Sequence, residues 1–194
     1  MDTEAKVFPD LQINLFADLH TFVVRWDSMF AIDEDYEYYL AHRYKKDLTE
    51  KELLKLFEWF TRGKLSEADL QVYYTEVAPK LSLINEYKRN EDYVSIYSVD
   101  WEIKLTWFAF IMHLIGGAPL FDENIFRAYH YINTAEIKEL PEDYEGQCEQ
   151  HAEYTVFYFN KEEKLNYGYT DDMWDNALWV LGKFLKEYPN VFMG

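Results

Sequence analysis

One cysteine, Cys148, in 194 residues excludes an internal disulfide and any zinc site built from cysteines. The five histidines, His20, His42, His113, His130 and His151, include no pair three or four positions apart. No helix therefore offers two imidazoles to one metal ion. A glycine-rich phosphate loop is absent, since Gly116-Gly117 lacks the lysine-serine continuation. No serine stands in a nucleophile-elbow context. No apolar run reaches the ~18 residues of a membrane span. Met1-Asp-Thr-Glu-Ala-Lys6 has neither the basic nor the apolar region of a signal peptide. These absences lead to the expectation of a cytoplasmic monomer with no membrane association, no metal and no cofactor.

Positive charge is also scarce. Lysine and arginine total 19 against 36 aspartates and glutamates, a net charge of −17. Such a surface repels phosphate backbones and argues against non-specific nucleic-acid affinity, while leaving room for one local neutral or basic face. A solvated acidic surface is the simplest explanation of the excess. Aromatics, by contrast, make up 19% of the chain, with 17 Tyr, 14 Phe and 6 Trp. That supply of core-forming side chains excludes disorder, and the length suits a single domain over residues 1–194.

The apolar residues follow helical spacing almost throughout, which predicts an all-α bundle of about eight helices. Leu11, Leu15, Leu19, Phe22, Val23, Trp26 and Phe30 form the first stripe, after Pro9-Asp10. A short tyrosine-rich helix over 36–46 ends in Arg43, Lys45 and Lys46. Thr49-Glu-Lys-Glu52 is a capping box that opens a helix running to Gly63. Ser66 with Asp69 opens the next, which Pro79 should kink or end. Residues 93–97 are the single strand candidate. Ile103, Trp107, Phe110, Ile111 and Leu114, with Leu105, Phe108 and Ile115 between them, make a helix apolar on all sides, as a buried central helix is. Ser98 is its expected cap. Gly116-Gly117 and Pro119 stop it, and Asp122 stands where the next N-cap belongs, ahead of Ile125, Phe126, Tyr129 and Ile132. Pro141 precedes a helix that runs through Cys148, His151 and Phe159. Asn160 to Tyr169 is a loop, and Thr170-Asp-Asp caps the last helix.

His113, inside the apolar central helix, reads as a satisfied core histidine. Lys104 and Asp122 carry more chemical interest, since they open the two helices of the central hairpin eighteen positions apart. An antiparallel return would bring them to one rim only if the connection doubles back. On spacing alone, Asp122 is an N-cap and Lys104 a snorkelling surface lysine.

Lys104, the apolar helix after it, Pro119 and Asp122-Glu-Asn-Ile-Phe-Arg127 together resemble the core of the helix-hairpin-helix DNA glycosylases, the 8-oxoguanine branch in particular. The chain also resembles a group of small bacterial helical proteins with a Pro-x-x-Asp-x-x-(apolar)-x-Arg-Ala signature. Their ending is similar to Trp174-Asp-Asn-Ala-Leu-Trp-Val-Leu-Gly-Lys-Phe-Leu185. Here Ile96-Tyr-Ser-Val-Asp100 stands in place of the family's Gly-x-Gly hairpin, and two residues rather than one separate Pro119 from Asp122.

The resemblance implies a helical glycosylase core acting on DNA with a flipped-out, modified base. In such a protein Asp122 would support charge at the sugar and Lys104 would attack the anomeric carbon, both at the mouth of a cleft. Arg127, Arg43, Lys45 and Lys46 are the expected DNA contacts. A hydroxymethylated or glucosylated cytosine of viral DNA is the substrate that this antiviral reading suggests. The opposing expectation, favoured by the charge, is a non-enzymatic acidic protein that mimics DNA and occupies a nucleic-acid-binding partner. A helix-hairpin-helix relative without catalysis is a third.

Overall fold

A computed structural model describes residues 19–116, 118–159 and 170–189, and these form an all-α protein without a strand among them. The helices are α1 (Leu19–Asp27), α2 (Glu34–Arg43), α3 (Glu50–Phe60), α4 (Glu67–Val72), α5 (Leu81–Asn90), α6 (Leu105–Ile115), α7 (Glu123–Thr134), α8 (Tyr144–Phe159) and α9 (Asp171–Glu187). No helix among the described residues is long and apolar enough to cross a membrane. Two compact units divide the chain. Ala31–Leu120, carrying α2 to α6, is the central unit. Met1–Phe30 and Phe121–Gly194 combine as the terminal unit, carrying α1, α7, α8 and α9. The expected positions Leu11 and Leu15 and the loop Asn160 to Tyr169 lie outside the described residues.

Side chains set most of the helix starts. The Thr49 hydroxyl accepts from the Glu52 N–H at 3.3 Å, and the Glu52 carboxylate accepts from the Thr49 N–H at 2.7 Å, closing the capping box. Lys45 donates to the other Glu52 oxygen, so that carboxyl falls to a pKa of about 2. Ser66 and Thr170 cap α4 and α9 in the same manner. Asp33 accepts from the Tyr36 N–H and so starts α2 at Glu34, and the helix ends at Arg43 rather than at Lys46.

Several expected boundaries move. Pro79 distorts its helix, one of the two expected outcomes, without ending it: the backbone widens to a π turn at Tyr73–Val77, tightens to a 3-10 turn at Ala78–Lys80 and resumes as α5. A π turn spaces its hydrogen bonds so that a proline without an N–H is accommodated. α5 runs to Asn90, and Glu91 ends it in the left-handed region at φ 54°. The strand expected over 93–97 is absent, because Ser95–Ser98 form a 3-10 turn. Ser98 consequently caps nothing. α6 begins at Leu105, with Lys104 in the N-cap place and no side-chain cap. Gly116, at φ 110°, ends α6 as its position predicts. α7 continues through Thr134, and Ala135 supplies the left-handed stop.

All residues of α6 are buried. Phe57 meets Trp107 at 4.9 Å and Phe110 at 5.2 Å between ring centroids, both edge to face, and Phe60 stacks on Phe110 at 4.4 Å. Three buried polar side chains close the ends of this apolar packing. His113 donates from Nδ1 to the Ala118 carbonyl at 2.9 Å, so its Nε2 accepts the Tyr39 hydroxyl at 2.6 Å. It is the satisfied core histidine that its sequence position suggests. Asn85 bonds both the N–H and the C=O of Leu48, at 2.9 and 2.8 Å. Lys88 donates to the carbonyls of Arg43, at 2.7 Å, and Leu114, and so caps the C-terminal ends of α2 and α6 together.

Burial lowers the Lys88 pKa to about 8, the charges of Arg43 and Lys46 adding to the effect. The unfolded chain then binds more protons than the folded one from about pH 8 to 10.5, so stability rises with pH across that range. Between pH 8 and 9.5, urea midpoints should show a gain on the order of 1.5 kcal/mol. The neutral amine still has two hydrogens for its two carbonyls. Lys88→Met should lose that pH dependence and, with both carbonyls left bare, about 1–3 kcal/mol of stability at pH 7.

Candidate functional site

Asp122 begins the second element of the terminal unit. Its Oδ1 accepts the Ile125 N–H at 2.8 Å, and its backbone carbonyl receives the Phe126 N–H at 2.9 Å. The predicted N-cap is therefore in place. The residue is only 9% exposed, so it lies enclosed instead of standing open at a cleft mouth. Phe121, fully buried, precedes it, with the His151 and Tyr154 rings 5.0 and 5.5 Å away. Tyr129 and Tyr158 continue this aromatic lining around Tyr154. The pKa of the Tyr154 hydroxyl is raised well above the usual phenol range by its burial and then by the charges of Asp175, Asp122 and Asp171. Tyr158 is raised by burial too, and by Asp175, Tyr154 and Asp171.

The two segments that carry the family resemblance pack on each other, because α7 and α9 cross at Gly182. A Cβ built there would stand 1.8 Å from the Asn124 carbonyl oxygen, so only glycine allows this approach. Arg127 fastens the crossing. Its Nη1 donates to the Gly182 carbonyl at 3.1 Å and to Asn124 Oδ1 at 2.8 Å, while Nε and Nη2 hold the two carboxylate oxygens of Glu139. That guanidinium holds the Glu139 carboxyl below the usual range. Expected as a DNA contact, Arg127 is instead an internal clamp: it has no exposed surface, and its bonds run to α7, α9 and Glu139. A bidentate guanidinium–carboxylate pair with added carbonyl partners is the arrangement in which a charge can be buried.

The other predicted residues lie on the central unit. Lys104 is largely exposed, ion-paired with Asp69 at 2.8 Å and 5.8 Å from the Trp107 ring centroid. Lys45 pairs with Glu52 at 2.6 Å and Lys46 with Glu91 at 2.8 Å. Arg43 is buried, its guanidinium carbon 5.3 Å from the Tyr39 ring centroid and 4.6 Å from that of Tyr44. Lys104 thus belongs to one unit and Asp122 to the other, and among the described residues each lysine expected to meet phosphate already faces a carboxylate. No group of three or more His, Cys, Asp or Glu suited to a metal ion occurs among the described residues.

Sequence reasoning missed His151, Tyr154 and Asp175. Each was read as part of an apolar stripe or passed over, although a polar residue at a core position of a helix is the signal that marks them. No family model, curated protein or solved structure matches the chain.

Two outcomes test this geometry. Gly182→Ala should cost more than the ~1–3 kcal/mol usual for core overpacking, because the obstacle is backbone, and thermal unfolding would reveal it. Burial also lowers the His151 pKa to about 4, so the folded state holds this imidazole neutral while the unfolded chain protonates near 6.5. The unfolded state then binds more protons, and stability falls as pH drops from about 6.5 to 4 and levels below that. The loss should be about 3 kcal/mol, read from chemical denaturation at stepped pH and absent in His151→Leu.

Proposed function

We propose that the protein is a DNA glycosylase-like enzyme that removes a modified base, with Asp122 as the carboxylate that stabilises positive charge at the sugar. The burial of that carboxylate carries the reading. A carboxylate held out of water at a helix start, with buried aromatic rings beside it, stands where an ionisable group is a candidate for chemistry. Its orientation is set by the Ile125 N–H, and the clamp of Arg127 on Gly182 fixes the helix that carries it. Preorganised charge in a site shielded from water is what an oxocarbenium-like centre requires.

The reaction breaks the bond between C1′ of the sugar and the base nitrogen. The departing base takes the electron pair and a proton, and the Asp122 carboxylate faces the positive charge left on the sugar. Water then adds its oxygen to C1′ and gives up a proton, leaving free base and an abasic sugar.

A second reading is favoured by a separate observation. Lys45, Lys46, Lys104 and Arg127 are each engaged by a carboxylate, in a chain of net charge −17. An acidic surface with its cations neutralised suits a protein that occupies a cationic, nucleic-acid-binding partner.

The test is release of free base from oligonucleotides bearing a panel of modifications, hydroxymethylated and glucosylated cytosine among them. Asp122→Asn keeps an oxygen for the cap but no charge, so it should fold normally and lose at least the 10²–10³-fold typical of one charge-stabilising group. Undiminished release by that variant would remove Asp122 from the mechanism. Borohydride should trap no protein–DNA adduct, because water is the group that adds to C1′. No release from any substrate, together with binding to a basic DNA-binding protein, would establish the second reading.

A further inference from the structure

His151 and Tyr154 are three positions apart on α8 and so share one face of that helix. Both rings lie against Phe121, at 5.0 and 5.5 Å, and Phe121 is the residue before Asp122. Tyr154 has no exposed surface and His151 has 8%. Yet among the described residues neither Tyr154 Oη nor His151 Nε2 has a hydrogen-bond partner. Buried donors and acceptors are bonded in roughly nine cases of ten, so two unbonded atoms at one corner call for an explanation. Packing alone would be served as well by phenylalanine and leucine.

We propose that Tyr154 Oη and His151 Nε2 are the hydrogen-bonding pair that reads the polar edge of a base held beside Asp122, an inference that rests on the base-excision reading above. The hydroxyl can donate or accept, and the imidazole nitrogen does either according to its tautomer. Burial keeps the phenol protonated and the imidazole neutral at pH 7. Each can bond a carbonyl or an amino group, the groups that a nucleobase edge carries. A site built to bond such groups also rejects bases that lack them, because its own polar atoms then stay unpaired. Phe121, the residue before Asp122, supplies an aromatic ring beside the pair on which a flat base could lie.

The experiment uses the full chain and two measurements, thermal unfolding and base release from single-stranded and duplex oligonucleotides that each carry one modified base. Tyr154→Phe removes an unbonded hydroxyl and should raise the melting temperature by about 2–6 °C. It should also lower kcat/KM at least tenfold and change the order of preference among bases. His151→Gln, which keeps a donor and an acceptor, should release base faster than His151→Leu. A melting temperature that falls in Tyr154→Phe, or a variant that fails to fold, shows the hydroxyl to be structural and overturns the inference. Release by the wild type that Tyr154→Phe leaves unchanged in rate and preference overturns this inference alone. No release by the wild type from any substrate overturns the base-excision reading and this inference with it.

Discussion

Where α7 passes α9, the backbone of Asn124 lies so close to Gly182 that a single methyl group would collide with it. The rest of the terminal unit is arranged around that approach. It brings the Gly182 carbonyl within reach of Arg127, which joins both helices and the Glu139 carboxylate through one guanidinium. It also sets the first turn of α7, and with it the Asp122 carboxylate, against the aromatic corner made by Phe121, His151 and Tyr154. A lysine in place of Arg127 could not reproduce this, since the planar fork bonds a carboxylate and two further oxygens at once.

In the central unit the constraint is different. α6 is apolar on every side, and what must be managed is the polar backbone at the helix ends. Lys88, Asn85 and His113 meet that need by bonding carbonyls and N–H groups of α2, α6 and the segment around Leu48. For a protein with so few cations, a lysine spent wholly on two carbonyls is notable. Its positive charge is taken out of contact with solvent, and burial moves its pKa toward neutrality in consequence.

Much of this was legible in the sequence wherever local chemistry decides. Thr49, Ser66, Asp122 and Thr170 cap their helices because a short side-chain oxygen before a helical stripe satisfies an N–H that has no other partner. Gly116 stops α6 for the equally local reason that it tolerates positive φ. Reading failed where the deciding partner lies far along the chain. Arg127 follows the Asp122 signature like a surface cation, and its burial is decided by Gly182, 55 positions away. Ser98 carried a good capping side chain, but the backbone there turns as a 3-10 segment, with Trp101 donating to the Ile96 carbonyl. Lys45, Lys46 and Lys104 looked like free cations because Glu52, Glu91 and Asp69 come near them only in the folded chain.

Those ion pairs bear on how an acidic protein could act on DNA at all. Exposed pairs contribute between nothing and about 1 kcal/mol, so exchanging a carboxylate for a phosphate oxygen is close to neutral. Such an exchange frees few condensed counterions if the carboxylate must recruit a cation of its own, and the usual electrostatic drive for duplex scanning is then weak. Affinity would have to come from the base, through stacking worth about 1–3 kcal/mol on an aromatic face and through hydrogen bonds to its edge. That source favours a base already unpaired, or one whose modification weakens its pairing, because the energy of extrusion is then smallest. On the proposed reading, an enclosed corner with a carboxylate, an aromatic ring and two polar atoms unbonded among the described residues would concentrate recognition on the base, where a surface of net charge −17 would provide little.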